Sequence, residues 1–241
     1  MELLNIGSNN TKLSTRNILD LCAGISCPMS KVCRSWVTVL PNGKSQIADG
    51  QENLFRCYAA SQENQYKPVH QKRLYNLKLL LKALHKGIDE TVELIDKSLN
   101  QDLRLTRFHS SGDFFSKDYA LACLRVAEIN PHNVYYAYTK SNSFFLDVGI
   151  PSNFHICPSW GGTEDHLIPY FDRSARVVFN EAEANRLGLP IDHDDSLCMQ
   201  PGNHCHLLHG TQPKGSEASK QLSIRKKAKK NDSSIFTGYS K

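Results

Sequence analysis

The chain has 241 residues, of which 40% are hydrophobic, and a formal net charge of +5. This length suits one domain with small appendages, and the apolar content suffices for a buried core. No run of about 18 apolar residues is present to span a bilayer, so the sequence predicts no membrane contact.

The positive charge is concentrated at the end of the chain. From Lys214 onward there are eight Lys/Arg against Glu217 and Asp232, a balance of +6, so the preceding 213 residues sum to −1. A nearly neutral body argues against a nucleic-acid groove built into it. We predict one domain over 1–219 and a flexible basic tail over 220–241, either solvated or in weak contact with nucleic acid through 220–230.

The N-terminus lacks the basic start and apolar centre of a signal peptide, which predicts a cytoplasmic location. Cysteines in a reducing cytosol more often serve metal or redox chemistry than disulfides. The alternative is a secreted protein with two disulfides.

The first predicted elements surround a cysteine-rich stretch. Residues 13–21 have a weak strand pattern and lead directly into the loop 22–61, which holds half of the eight cysteines. Turn signals at Pro41-Asn42-Gly43 and Asp49-Gly50 predict a small hairpin over 34–48.

A long helical pattern follows from Pro68. Its apolar residues recur every three or four positions and form one core-facing stripe: Leu74, Leu77, Leu81, Leu84, Ile88, Val92, Ile95 and Leu99. Gly87 is a candidate break between two helices.

Strands then alternate with helices. The predicted strands cover 103–109, 134–138, 153–157, 176–179 and 204–208. Ser116 caps a predicted helix over 117–129, and Gly188 closes another over 181–187. This alternation predicts an α/β fold with a parallel sheet, open or closed into a partial or full (β/α) TIM-like barrel, with an N-terminal cysteine-rich loop.

The carboxyl ends of these strands share a composition. They run into HSSGD, YTKS, SWGGTED, FNEAE and LHGTQ. Ligands of parallel α/β folds bind beyond the carboxyl ends of the strands. Polar loops can follow any strand, but five such ends rich in Ser, Gly, Asp and His favour a site at this edge.

The cysteine loop carries the strongest chemical signal. Cys22, Cys27 and Cys33 are spaced C-x4-C-x5-C, and Cys57 follows after 23 residues. Thiolates are soft ligands for zinc and for iron–sulfur clusters. The paired CxxC knuckles typical of structural zinc are missing, whereas a cluster tolerates long irregular loops and leaves one iron open when only three cysteines bind it. Both metals remain candidates.

The other cysteines are scattered. Cys123 on a predicted helix and Cys157 in a predicted strand are expected to act as small buried hydrophobes. A denser group of histidines and cysteine near the last predicted strand consists of His204, Cys205, His206 and His209. Strand alternation puts His204 and His206 on one face, which fits either a second metal site or a role in the core or in the lining of a site.

Two residues near the end of the predicted strand 103–109 are candidates for catalysis. Asp113 suits an acid, a base or a hydrogen-bonding anchor, and His109 lies close to it in sequence. No P-loop, GxGxxG or GxSxG pattern is present, which removes support for nucleotide-hydrolase, dinucleotide-binding and α/β-hydrolase functions.

Five sequence blocks occur in order along the chain. They are FRCYAAS (55–61), RFHSSGDFFS (107–116), YAYTKS (136–141), PSWGGTED (158–165) and HGTQPKGSEAS (209–219). Together they resemble the phage "gene product 88" domain family over most of 13–219. The blocks are also similar in layout to radical S-adenosylmethionine enzymes, whose partial or full (β/α) barrel carries three cysteines that hold a [4Fe–4S] cluster.

The resemblance implies Cys27, Cys33 and Cys57 as cluster ligands. Cys22 stands where the pattern has a proline, and it is either a fourth ligand or an idle thiol. The cysteine spacing is much longer than the compact motif of ordinary radical enzymes.

The resemblance also implies a cofactor or substrate pocket lined by Ser111, Gly112 and Asp113, together with Gly161 and Gly162. Gly161-Gly162 permits close backbone approach to a ligand, or a tight turn.

The sequence thus predicts a phage- or mobile-element-type iron–sulfur protein, with radical S-adenosylmethionine-like chemistry if it is an enzyme. The expected cofactors are a [4Fe–4S] cluster and S-adenosylmethionine, with zinc as the alternative metal, and the substrate is a small molecule or nucleic-acid-derived. One alternative is a nucleic-acid-associated zinc or structural-cluster module without catalysis. Another is a degenerate barrel that has kept its fold and lost its activity.

Overall fold

A computed structural model describes residues 2–7 and 15–231. The strands are β1 (Asn17–Leu19), β2 (Ser35–Val39), β3 (Ser45–Asp49), β4 (Leu105–Phe108), β5 (Val134–Thr139), β6 (Phe154–Pro158), β7 (Arg173–Val178) and β8 (Gly202–Leu207). The helices are α1 (Tyr58–Gln65), α2 (Lys67–Lys86), α3 (Ile88–Ser98), α4 (Lys117–Ile129), α5 (Glu181–Leu187) and α6 (Glu217–Asn231). Three short 3-10 helices cover Asn142–Phe145, Asp165–Tyr170 and Ser196–Met199.

The centre of the fold is a parallel four-stranded sheet with the order β1-β4-β5-β6. Leu19 pairs with Phe108, which in turn pairs with Ala137, so the carboxyl ends of the strands meet at one edge. Strands β7 and β8 form a second parallel pair, and a parallel bridge from Ser159 to Ala175 connects it to the end of β6. The predicted α/β fold with a parallel sheet is confirmed at this level.

One face of the sheet packs against the helices through an aromatic core. The ring of Phe108 stacks on that of Phe154 with centroids 5.5 Å apart, and Tyr135 stacks on Phe108 at 6.0 Å. Residues of α2, α3 and α4 complete the same buried cluster. Burial of these large apolar groups is the main force that stabilises this side of the sheet.

The opposite face of the sheet is covered by the segment 192–199. Arg107 on β4 forms a buried ion pair with Asp195, and the hydroxyl of Tyr136 donates to the same carboxylate at 3.2 Å. Buried charges persist only when they are paired. A small apolar cluster that includes Cys157 and Cys198 packs on the same face, so this side of the sheet combines polar and apolar contacts.

Local capping signals fix several boundaries as predicted. The side chain of Ser116 accepts the amide of Tyr119 at the start of α4, and that of Asn180 accepts the amide of Glu183 at the start of α5. Gly188 ends α5 with a φ of 65°. The hairpin formed by β2 and β3 is also present, and Gly87 divides α2 from α3.

The predicted apolar stripe is only partly correct. Leu77 and Leu80 of α2 are buried, whereas Leu81, which the pattern assigned to the core, is exposed. The stripe continues after Gly87, because Val92, Ile95 and Leu99 are buried, and the difference lies in α2, where Leu80 takes the core position that the pattern assigned to Leu81.

Two helices occupy segments without a predicted element. Helix α1 follows Cys57, and α6 begins at Glu217 and runs into the stretch 220–241 that was expected to be a flexible tail. Leu222 of α6 is buried, and Arg225 donates to the backbone carbonyls of Phe179 and Leu208 at 3.3 and 2.9 Å. These contacts bind the start of the basic run to the domain. Residues 13–14 of the predicted first strand and 232–241 of the predicted tail lie outside the described residues.

Within the described ranges, none of the helices has the length and apolar character needed to cross a membrane.

Candidate metal centre

The cysteine loop lies on the carboxyl edge of the parallel sheet. The amide of Leu21, just after β1, donates to the carbonyl of Ser111 at 2.9 Å. Further along the loop, the amides of Lys31 and Val32 donate to the carbonyl of Gly161 at 3.1 and 3.0 Å. Backbone bonds to the ends of β4 and β6 therefore hold the loop at this edge.

Three of its cysteines come together there. Burial raises the pKa of Cys27 well above its usual value, and the charges of Asp113, Cys57 and Cys33 raise it further. Burial raises the pKa of Cys57 to about 11, with Cys33 again contributing. All three residues are half-buried free cysteines. The charges of Cys33 and Cys57 act on Cys27, and that of Cys33 acts on Cys57, so the three thiols lie near one another across 30 residues of sequence.

Cys57 lies at the N-terminus of α1. The backbone amides of Ala59 and Ala60 face its sulfur and lower its pKa, opposing the effect of burial. The positive end of a helix favours a thiolate, which is the form that binds metals. The amide of Cys57 itself lies 3.3 Å from Oγ of Ser35 on the hairpin, so helix and hairpin together orient this thiol.

Cys22 belongs to a different group. Its side chain is fully buried, and its sulfur lies within 4.8 Å of ligand atoms of Glu63 and His70. Burial and then the charge of Glu63 raise its pKa to about 12. The structure thus associates Cys22 with a carboxylate and an imidazole beneath the loop.

A buried ionic network supports the loop from below. Glu63, which is 1% exposed, accepts the amide of Ala23 at 3.0 Å and lies 3.2 Å from Nη1 of Arg73. Arg73 also contacts Asp20 at 3.1 Å, and Asp20 accepts the hydroxyl of Ser110 at 2.7 Å. The network joins α1, α2 and the ends of β1 and β4. No local sequence pattern marks Glu63 or Arg73 as buried, so this network is not predictable from the sequence alone.

The three predicted residues after β4 have different roles in this arrangement. The hydroxyl of Ser111 donates to the carbonyl of Leu21 at 2.8 Å. A Cβ atom at Gly112, whose φ is +88°, would lie 2.5 Å from Oγ of Ser26. Asp113 accepts the hydroxyl of Thr139 at 2.6 Å and the amide of Lys140 at 2.8 Å. These residues pack the end of β4 against the loop and against β5.

The surroundings of Asp113 suit an anchor. Burial raises its pKa, and the hydrogen bonds from Thr139, Lys140 and Phe114 oppose the rise. Both carboxylate oxygens are occupied by these bonds. Of the three roles predicted for Asp113, the geometry favours the hydrogen-bonding anchor.

His109 points into the aromatic core. Its Nε2 lies 3.0 Å from the hydroxyl of Tyr119, and its ring meets that of Phe114 edge-on at 4.6 Å. Burial lowers its pKa to about 3, so the ring stays neutral. These contacts place the ring among the aromatic side chains of the core, and a catalytic role for His109 remains a prediction.

The two glycines after β6 also meet the cysteine loop. A Cβ at Gly161 would lie 2.3 Å from Cγ2 of Val32, and one at Gly162 would lie 2.9 Å from the carbonyl oxygen of Met29. Their close backbone approach is therefore to the loop. Whether a cofactor also contacts them stays a prediction.

A clasp formed by the segment 209–212 holds the residues around Cys57. The side-chain oxygen of Gln212 accepts the amide of Arg56 at 2.7 Å, and its Nε2 donates to the carbonyl of the same residue at 2.9 Å. The hydroxyl of Ser61 donates to the carbonyl of Thr211 at 2.9 Å. Gly210 approaches Tyr58 so closely that a Cβ would lie 2.8 Å from that of the tyrosine. The HGTQ segment thus fixes the residues on either side of Cys57.

No curated protein and no solved structure matches the chain. The model of a family of phage gene products, described as Gene product 88, matches residues 3–230, which is nearly the whole sequence. The chain therefore belongs to the Gene product 88 family.

Proposed function

We propose that this phage protein binds a [4Fe–4S] cluster through Cys27, Cys33 and Cys57 and acts as a radical S-adenosylmethionine-like enzyme. The observation that carries the proposal is the convergence of these three thiols, from distant parts of one loop, at the carboxyl edge of a parallel sheet. Ligands of parallel α/β folds bind at that edge.

The strand order supports a partial (β/α) barrel as the scaffold. Neighbours in the sheet follow chain order from β4 to β6, and the bridge from Ser159 to Ala175 extends the series to β7 and β8. Such a succession of parallel neighbours is typical of barrels, whereas doubly wound sheets reverse direction at a switch point. In a barrel, the loop after the first strand and the ends of the later strands face the same site.

A four-iron cluster is the metal centre that we propose for the three thiols, with a single zinc ion as the alternative. Zinc holds sulfur at about 2.3 Å, so two thiolates on one ion lie at most about 4.6 Å apart. Among the described residues, the side-chain groups with all ligand atoms within 4.8 Å of one another do not include this trio. A four-iron cluster spans more space than a single ion.

The position of Cys22 supports an incompletely ligated cluster. Because Cys22 lies beside Glu63 and His70, three thiolates remain for four irons. When bound, such a cluster supplies an open coordination position and one electron for reductive cleavage of S-adenosylmethionine.

The residues of the chain would bind and orient the cluster and S-adenosylmethionine. The N-terminus of α1 stabilises the thiolate of Cys57. Lys140, half-buried at the carboxyl end of β5, donates from Nζ to the hydroxyl of Ser159 at 2.8 Å. This ammonium group offers a cation for the carboxylate of a bound amino-acid moiety at the same edge.

Anaerobic reconstitution with iron and sulfide, followed by reduction in the presence of S-adenosylmethionine, tests the proposal. We expect release of 5′-deoxyadenosine by the wild type and its loss in Cys57→Ala, with Cys123→Ala as the matched control because that thiol is buried within α4. A fully assembled cluster that leaves S-adenosylmethionine intact would overturn the enzymatic part and leave a structural cluster.

A nucleic-acid-binding module is the second candidate. Helix α6 exposes Lys226, Lys227, Lys229 and Lys230. Stoichiometric zinc without sulfide, together with salt-dependent binding of nucleic acid that charge reversal of these lysines abolishes, would establish this function instead.

A further inference from the structure

A second group of metal-ligand side chains lies on β8 and on the segment that pairs with it. Asp192, His204 and His206 have ligand atoms that all lie within 4.8 Å of one another. None of them belongs to the cysteine loop. We propose that these three side chains bind a divalent transition-metal ion, Zn²⁺ or Fe²⁺, at a site separate from the thiols.

Backbone pairing brings the three residues together. His204 and His206 are two apart on β8, so they share a face of the strand. The preceding segment pairs with β8 in parallel, with Ile191 opposite Cys205. The amide of Asp192 donates to the carbonyl of Cys205 at 2.8 Å, which fixes the carboxylate beside both imidazoles. The group is therefore built into the sheet and does not depend on a loose loop.

The geometry suits a two-histidine, one-carboxylate site. Nε2 of His204 lies 3.8 Å from Oδ2 of Asp192, and the rings of His204 and His206 stand at 90° with centroids 5.4 Å apart. Two imidazoles and one carboxylate on one face are a common ligand set for Zn²⁺ and non-haem Fe²⁺.

A second layer of contacts orients the ligands. Nδ1 of His206 lies 3.3 Å from the carbonyl oxygen of Asp192. A carbonyl only accepts, so Nδ1 carries a proton and Nε2 keeps the lone pair that binds a metal, as in many metal-binding histidines. Oδ1 of Asp192 accepts the amides of Asp194 and Asp195 at 3.1 and 2.9 Å. Ligating carboxylates are held in this way.

A tyrosine occupies the gap between two of the ligands. The hydroxyl of Tyr138 lies 3.1 Å from Oδ2 of Asp192 and 3.3 Å from Nε2 of His204. It takes the place that an ion would fill, so metal binding moves this hydroxyl aside. Asp192 and His204 are each 2% exposed. The ion would therefore be largely removed from water, and a buried carboxylate favours a cation.

The group of Cys22, Glu63 and His70 is less suited to an ion. Arg73 already contacts the Glu63 carboxylate at 3.2 Å, and a metal beside that guanidinium would meet its positive charge.

Titration of the full chain with Co²⁺, after removal of metals with a chelator, tests the proposal. Sulfur-bound Co²⁺ shows charge-transfer absorption in the near ultraviolet, and Co²⁺ on nitrogen and oxygen ligands does not, so the two sites are observed separately. We expect about one equivalent of nitrogen- and oxygen-bound Co²⁺ per chain. Competition with Zn²⁺ and with Fe²⁺ under anaerobic conditions then identifies which ion binds more tightly.

The variants are His204→Gln, His206→Gln and the control His132→Gln. Loss of either ligand should weaken Co²⁺ binding at this site by roughly tenfold or more. His132 is exposed, so His132→Gln should leave Co²⁺ binding unchanged. His206 is only half-buried, so its variant remains informative if His204→Gln does not fold. Wild-type protein without nitrogen- and oxygen-bound Co²⁺, or a His206→Gln variant that binds it normally, would overturn the proposal whatever the thiols bind.

Discussion

Oε1 of Glu63 lies 3.2 Å from Nη1 of Arg73, and both side chains are buried beneath the cysteine loop. Arg73 also reaches Asp20 at the end of β1. This pair connects the two helices after the loop to the strand before it. The position of the thiols thus depends on charges that are themselves removed from water.

Arg73→Met should strongly destabilise the fold. The change leaves the carboxylate of Glu63 buried without its cation, and loss of one partner of a buried pair costs about 3–5 kcal/mol. Lys82→Met is the matched control, because its pair with Glu2 is exposed and should contribute only about 0–1 kcal/mol. Urea unfolding measures both, and equal free energies of unfolding for the two variants would contradict a supporting role for the network.

Gly112→Ala should disturb the junction between β4 and the cysteine loop. Gly112 has a φ of +88°, and the added Cβ would lie 2.7 Å from that of Leu21. Gly43→Ala is the control, since Gly43 has a φ of +76° and nothing within 4 Å. Backbone strain alone costs about 1 kcal/mol or more, and overpacking adds about 1–3 kcal/mol at Gly112 only. The midpoint of thermal unfolding should be higher for Gly43→Ala than for Gly112→Ala. The reverse order would show that the contact between Gly112 and Leu21 tolerates an added Cβ.

His109 should make the protein sensitive to acid. Burial holds its folded-state pKa at about 3 despite the opposing charge of Asp20, and the unfolded chain has the ordinary value of 6.5. As the pH falls below 6.5 the unfolded chain binds a proton that the folded protein excludes, so stability is present above that pH and is lost toward pH 3. By about pH 4.5 the loss reaches about 2.5 kcal/mol.

The test compares unfolding at pH 7 and at about pH 4.5. His109→Gln should lose this part of the acid sensitivity, and the exposed His132→Gln should retain it. Identical pH dependence in wild type and His109→Gln would show that the imidazole is protonated in the folded protein.

Gln212→Ala should loosen the clasp around Cys57. Both backbone groups of Arg56 lose their partner, and each unsatisfied buried group costs about 1–3 kcal/mol. Gln101→Ala, which removes one exposed hydrogen bond to the carbonyl of Asp96, serves as the control. Hydrogen exchange at the start of α1 should accelerate only in the Gln212 variant, and unchanged protection there would show that the clasp does not hold this helix.

Elements with their own capping or turn chemistry were predictable. Ser116 and Asn180 bond to the first turns of their helices, and Gly188 supplies a left-handed residue at a helix end, so local sequence is enough to place these boundaries. Helix α1 escaped prediction because YAASQENQ has no apolar stripe. Its position is set by contacts at Cys57 and Gln212, which are 155 residues apart in the sequence numbering.

The site was only partly predictable for the same reason. Spacing indicated Cys22, Cys27, Cys33 and Cys57 together, and the resemblance set Cys22 apart, but only the fold places Cys22 beside Glu63 and His70. Likewise, the strand period placed His204 and His206 on one face, while their neighbour Asp192 arrives through a backbone pairing with β8 that leaves no local pattern.

The most direct test of the central claim is a count of iron, sulfide and zinc in protein purified without oxygen, for the wild type, Cys33→Ala and Cys22→Ala. A cluster on three thiolates predicts about four irons and four sulfides per chain, retained in Cys22→Ala and lost in Cys33→Ala. Stoichiometric zinc without sulfide, or a cluster that needs Cys22 as much as Cys33, would contradict it.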